Sequence, residues 1–215
     1  MSLPKGFVSG SAAAGLKSSG ALDLTIIHNQ GPLNFATAVF TTNKIVAAPV
    51  IWSRQVIKGG QVSAVVLNSG GANACTGPQG FADTHKTAEL VAHKLDLSSS
   101  EVVVCSTGLI GELLPMNKIE AGIGAISLDD QGFDSSAKAI MTTDSIPKRV
   151  TVTRNGITTS GIAKGAGMLA PALATMLSVI MTDAVVHGEA AKEIFKRVVD
   201  QTFNRIDSDG CTSTN

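Results

Sequence analysis

Tyrosine is missing from this 215-residue sequence, tryptophan occurs once, and aromatic residues make up only 4% of it. Few flat faces are therefore available on which the bases of a single strand could stack. Nor is there a surplus of charge: Lys plus Arg and Asp plus Glu stand at 17 each, so no basic surface argues for a nucleic-acid partner. Cysteine is scarce as well. Cys75, Cys105 and Cys211 form an odd set without a C-x-x-C pair, which fits neither a disulfide framework nor a zinc ribbon and suits reduced thiols. His28 and His187 stand alone, and His85 and His93 are too far apart for an i, i+4 ligand pair, so no metal site is expected. No apolar run reaches membrane-spanning length, and no charged segment followed by an apolar one opens the chain. The expectation is a cytoplasmic protein with no membrane partner.

What is present is a glycine-rich, apolar sequence, with 44% hydrophobic residues and 22 glycines, which suits a single α/β domain over residues 1–215. Residues 6–20 are small and read as a flexible opening segment. Strands are expected at 22–27, 36–40, 47–52 and 62–67, bounded by turn residues. Pro78 can occupy the first turn of a helix carrying Phe81, Ala82, Ala88, Leu90, Val91 and Leu95 on its apolar face. Further helices are expected at 115–126, 133–140 and 190–206. The Asn155-Gly156 pair between 150–153 and 157–160 predicts a β-hairpin.

Chemistry is sought first in residues 161–183, GIAKGAGMLAPALATMLSVIMTD. A run of small residues leads through Ala174 to Thr175, and the apolar run at 176–180 predicts a buried strand directly after it. A threonine hydroxyl at such a junction is able to attack the preceding carbonyl, shift the peptide to an ester and release a new amino terminus. That amine would then serve as base for its own hydroxyl. A strand-initial Thr chosen for β-propensity is the structural alternative. The same stretch carries G-x-G-x-x-A at Gly165, Gly167 and Ala170, the pattern of a dinucleotide-binding loop, although Pro171 falls where its helix should continue.

Two more segments draw attention. NSGGANACTG at 68–77 ends a strand in a loop rich in Gly and Asn, where α/β proteins often place a site. A strand at 101–105 leads into Ser106, Thr107 and Gly108, a turn whose N–H groups could support an oxyanion. Cys105 ends that strand with no histidine near it in sequence, which argues against a thiol nucleophile. Thr142, Thr143 and Asp144 place two hydroxyls and a carboxylate ahead of Pro147, and Lys17 reads as a solvated cation.

Together NSGGANACTG, CSTGLIGELLPM, AIMTTD and AKGAGMLAPALATM resemble, in that order, the ornithine acetyltransferase family of arginine biosynthesis, also described as bifunctional glutamate N-acetyltransferases. The resemblance implies self-cleavage between Ala174 and Thr175. It makes Thr175 the nucleophile that takes acetyl from N-acetylornithine and passes it to glutamate, with ornithine and N-acetylglutamate as products. Thr107 and Gly108 match the positions that support the oxyanion, and Thr142 and Lys164 match substrate-contacting positions. No cofactor is implied, although acetyl-CoA is a possible co-substrate. The implied fold is α/β, a mixed sandwich with helices flanking two β-layers, similar in plan to N-terminal-nucleophile hydrolases but differently connected. Family chains continue past the DSDGCTSTN segment, so the C-terminal half of the same precursor is an expected partner within an oligomer. Two rivals stay open: a nucleotide-binding oxidoreductase using Gly165, Gly167 and Ala170, and a truncated fragment without catalysis.

Overall fold

A computed structural model describes residues 2–170, 175–186 and 188–212. Its first sheet contains β1 (Phe7–Ala12), β2 (Leu24–Asn29), β3 (Ala64–Gly71) and β4 (Val102–Leu109) in that spatial order, antiparallel except for the parallel pair β3–β4. The second sheet is β5 (Lys148–Arg154), β6 (Ile157–Lys164) and β7 (Leu177–Thr182), antiparallel throughout. Among the described residues five α-helices accompany them: α1 (Ala48–Val56), α2 (Gly77–Leu95), α3 (Met116–Ala125), α4 (Phe133–Ala139) and α5 (Glu189–Gln201). The expected mixed α/β architecture with two sheets and flanking helices is therefore observed.

Alternation along the strands sets the layers, because successive side chains leave a strand on opposite faces. Leu24, Ile26, Ala64, Val66, Val102 and Val104 point to one face and pack with Ala88 and Val91 of α2 and Ile119 and Ile123 of α3. Ile27 and Leu67 point to the other, where Phe133 and Ala137 of α4 and Ile162 and Met181 of the second sheet complete another core. The first sheet is thus covered on both faces, and α4 and the second sheet share one of them. Burying each of these aliphatic side chains contributes about 1.5–3 kcal/mol.

Several expected elements change. The 47–52 run is the start of α1, with Pro49 in its first turn. A continuous apolar run has no period with which to choose strand or helix. Here the helix is selected by what it seals. Ser53 Oγ donates to the Val104 carbonyl at 2.8 Å and accepts the Val104 N–H at 3.1 Å, and Trp52 Nε1 donates to the Val102 carbonyl at 3.0 Å. These groups would otherwise be the open edge of β4. Residues 36–40 form no strand; Phe40 instead lies under the Arg54 guanidinium, 5.6 Å from its carbon.

The opening segment is no flexible loop, since it contains β1. Its residues are small because the chain passes close by: a side chain at Gly10 would begin 1.9 Å from the Ser127 carbonyl oxygen. On α2 the apolar face runs through Ala88, Val91 and Ala92, whereas Ala82 is exposed and Asp83, Thr84 and Thr87 are buried. The hairpin turns at Asn155 and Gly156 with φ of 52° and 78°, as the Asn-Gly pair predicts. Strand β7 is half-exposed, not buried: Ile180 keeps 48% of its surface accessible. Helix α5 stops at Gln201 and is followed by a short 3-10 turn, and among its residues only Val199 is buried.

Candidate functional site

The ends of β4 and β6 bring together residues that lie far apart in sequence. β4 does not end at Cys105 but runs on through Ser106, Thr107 and Gly108, paired with Asn68, Ser69 and Gly70, and the register becomes irregular at Gly71. Gly108 has φ of +129°, and a Cβ there would lie 2.4 Å from the Gly70 carbonyl carbon, so only glycine fits. Its neighbour Thr107 is buried, and Thr107 Oγ1 accepts a 3.1 Å hydrogen bond from Lys164 Nζ at the end of β6. With one lone pair taken by the ammonium, the Thr107 hydroxyl proton remains available to another acceptor.

Lys164 is 3% exposed, which is unusual for lysine. Burial pulls its pKa below the ordinary value, the nearby Asp144 carboxylate pushes it back up, and the Lys148 and Lys17 ammonium groups pull it down. Asp144 sits in the turn between α4 and β5. It accepts the Thr142 N–H at 3.1 Å and the Gly165 N–H at 2.8 Å, and forms an ion pair with Lys148. Burial alone would raise its pKa, but the hydrogen bonds from Lys148, Gly165 and Thr142 outweigh it and hold the carboxyl below its usual range.

Thr175 stands two residues ahead of β7, whose first residue, Leu177, is paired with Lys164. The Thr175 N–H donates to the Met168 carbonyl at 3.4 Å, and its own carbonyl lies 3.5 Å from where a side chain on Gly165 would begin. Its hydroxyl oxygen is buried and, among the described residues, has no hydrogen-bond partner. Leaving such a group unsatisfied costs about 1–3 kcal/mol, so a native protein that keeps one calls for a reason. Ser9 Oγ shares the condition, but it lies on β1 beside Gly132, away from these loops. Ala174 lies outside the described residues.

Gly165 to Ala170 contains bends and no helical residue, so among the described residues the dinucleotide-loop reading of Gly165, Gly167 and Ala170 lacks the helix N-terminus it needs. Met168 N–H and the Leu169 carbonyl are tied instead to Asp209 Oδ2 and the Ser208 N–H, at 2.8 and 3.0 Å. The 68–77 loop divides in two. Its first residues support Thr107 and Gly108, while Asn73 is fully buried and clamps α2 through the Gly80 carbonyl and Thr84. Burial pushes the Cys105 thiol up to about 12, which removes it as a nucleophile at neutral pH.

Sequence reasoning passed over two cations. Lys17 is half-buried and not solvated: its Nζ donates to the Leu22 and Ala139 carbonyls at 2.8 and 3.5 Å. Burial lowers its pKa while Asp23 and Asp144 raise it. Lys148 had no sequence signal except its place four residues after Asp144. A cleft of about 370 Å³ bounded by Leu33, Phe35, Gln61, Glu189 and Lys192 includes none of these residues. Among the described residues no helix is long and apolar enough to cross a membrane.

The chain as a whole is similar to known proteins. The arginine biosynthesis bifunctional protein ArgJ of Streptomyces coelicolor is 55% identical over 213 residues, covering 98% of this chain and 56% of that protein. The Mycobacterium leprae protein of the same name is 53% identical over 222 residues, covering 99% and 54%. The chain thus spans about half the length of the curated relatives it matches. Among solved structures, ornithine acetyltransferase from Mycobacterium tuberculosis, complexed with ornithine, aligns with a TM-score of 0.76 at 53% identity, covering 80% of this chain and 94% of that one. The bifunctional protein argJ of Bacillus halodurans aligns with a TM-score of 0.73 at 34% identity, covering 82% and 97%. The ArgJ family model matches residues 8–215, and with relatives of this identity along its whole length the chain belongs to the ArgJ family.

Proposed function

We propose that this chain is the self-processing, nucleophile-bearing part of an acetyltransferase of arginine biosynthesis, moving acetyl from N-acetylornithine to glutamate through an ester on Thr175. The observation that carries this reading is the buried Thr175 hydroxyl, without a hydrogen-bond partner among the described residues, at the mouth of a strand pair and within the loop cluster that holds Lys164 and Thr107. The ornithine bound by the related mycobacterial enzyme supports the substrate class.

In the first step Thr175 Oγ1 attacks the Ala174 carbonyl carbon. The C–N bond breaks as the C–O bond forms, and the hydroxyl proton passes to the departing amine. Water then hydrolyses the ester, leaving a carboxylate on Ala174 and a free amine on Thr175. In transfer, that amine takes the proton of its own hydroxyl while Oγ1 attacks the acetyl carbonyl. The negative charge that develops on the carbonyl oxygen is met by the Thr107 hydroxyl and the Gly108 N–H, donors already held in place by β4. Collapse expels the amine of ornithine with the proton, and the amine of glutamate then attacks the acetyl ester. Lys164 and Thr142 contact the amino-acid part of the substrate, an ammonium being a suitable point partner for a carboxylate. The rest of the family length supplies the remaining contacts and pairs with this part in an oligomer.

Intact-mass measurement and an acetyl-transfer assay on Thr175→Ala test the reading. Both scission and transfer should vanish, while Thr175→Ser retains some of each. An uncleaved wild-type precursor that transfers acetyl at full rate would defeat it.

A further inference from the structure

Two segments meet on one carboxylate: the turn that carries Thr142, Asp144 and Lys148, and the backbone at Gly165, 21 residues on from Asp144. The Asp144 side chain is fully enclosed, yet each of its oxygens is occupied: Oδ2 by the Thr142 N–H, and Oδ1 by the Gly165 N–H and the Lys148 ammonium. Gly165 directly follows Lys164. One side chain therefore ties the backbone at Thr142 to the backbone just past Lys164, and these are the two residues assigned to substrate contact. We propose that Asp144 is a positioning residue for acyl transfer, holding the Thr142 segment and the Lys164 strand end as one unit and supplying the negative charge that faces the Lys164 ammonium. The inference rests on the reading of Thr175 as nucleophile and Lys164 as substrate contact.

The charge matters because of what surrounds Lys164. Its hydrogen-bond partner, the Thr107 hydroxyl, is neutral, and an enclosed ammonium is costly without a counter-charge. Lys17, from the loop after β1, and Lys148, at the start of β5, both repel it; Asp144 alone of the groups acting on it attracts, and Asp23 acts on Lys17. Three ammonium groups around one carboxylate leave net positive charge for the carboxylate of an amino-acid substrate, provided Lys164 keeps its proton. An asparagine at 144 could accept one N–H but not neutralise the cluster, because its amide nitrogen only donates.

The experiment is the pH profile of acetyl transfer by the full-length gene product. In Asp144→Asn the KM for N-acetylornithine should rise about tenfold or more, the loss of a hydrogen bond to a charged group, with a smaller fall in kcat. The alkaline limb of kcat/KM should move to lower pH, since the carboxylate that favours the Lys164 proton is gone. Lys148→Gln alters a side chain that is 44% exposed and should move the same limb to higher pH, since a repelling charge is removed. Opposite displacements support the proposal. A residue that served folding alone would lower thermal stability and leave the limb in place, so an unmoved limb in both variants overturns it. Should Asp144→Asn fail to fold, Lys148→Gln decides, and a limb that stays or moves to lower pH counts against. Adding Lys164→Arg to Asp144→Asn should erase the limb, because guanidinium does not titrate in this range; a persisting limb overturns the proposal. Thr175→Ala separates the two levels: if it still transfers acetyl the underlying reading fails, and if it is inactive while the limb stays fixed only the role of Asp144 fails.

Discussion

Two glycine-rich loops leave the ends of strands in this fold, and they differ in how their polar groups are satisfied. The loop after β3 is closed on itself. Asn73 donates to the Gly80 carbonyl and to Thr84, at 2.8 and 2.9 Å, and accepts from Thr76 at 2.7 Å. The loop after β6 is held at its root by Asp144, but it runs toward a threonine whose buried hydroxyl has no partner among the described residues. Composition makes the two look alike. Polar accounting separates them, since a site must keep groups ready for atoms that are not yet there, whereas a structural loop keeps none.

The comparison can be broken first at Thr107. Thr107→Val keeps the shape and removes the hydroxyl, and should slow acetyl transfer by about 10²-fold or more, as loss of one oxyanion donor does. Steady-state kinetics beside a melting curve check it; a variant that melts lower yet transfers normally would make Thr107 merely structural. The contrasting change in the loop after β3, Asn73→Ala, should destabilise by about 1–3 kcal/mol through stranded buried partners, and leave the rate of self-cleavage in the folded fraction unaltered. Urea unfolding gives the first quantity and intact mass the second. Slower scission at undiminished stability would merge the two loops into one site.

The smallest effect is on acid stability. Asp144 titrates below its ordinary 3.8 when folded, so its ionised form stabilises the fold at every pH above that value. That contribution is lost as pH falls through the lower folded value. Stability curves of the wild type and Asp144→Asn should therefore keep a constant separation well above pH 3.8 and draw together as pH falls through and below it. Parallel curves would mean that the carboxylate is equally free in both states.

Much of the fold is readable in the residues. The Asn155-Gly156 turn and the helical spacing across Ala88, Val91 and Leu95 gave the hairpin and α2 directly, because local chemistry and tertiary packing agree there. α1 was not readable: its choice of helix depends on Ser53 and Trp52 sealing the edge of a strand some fifty residues away. β1 hid behind small residues that close packing requires. At the site, Thr175 and the Thr107-Gly108 turn stand out by their local setting and, with Lys164, take their roles from a family resemblance, whereas Asp144 carries only a position before Pro147. Besides Lys148, its partners are backbone N–H groups, one of them 21 residues on, and no side-chain pattern records such a bond.

The ladder between β6 and β7 has one more implication. Six residue pairs, from Thr159 with Thr182 to Lys164 with Leu177, fasten the segment after Thr175 to the segment ahead of the proposed cleavage point. Scission of the Ala174–Thr175 bond, as proposed above, would therefore free an amino terminus without letting it diffuse away. The two polypeptides would copurify as a nicked whole, and the newborn terminus would remain anchored where its hydroxyl already lay.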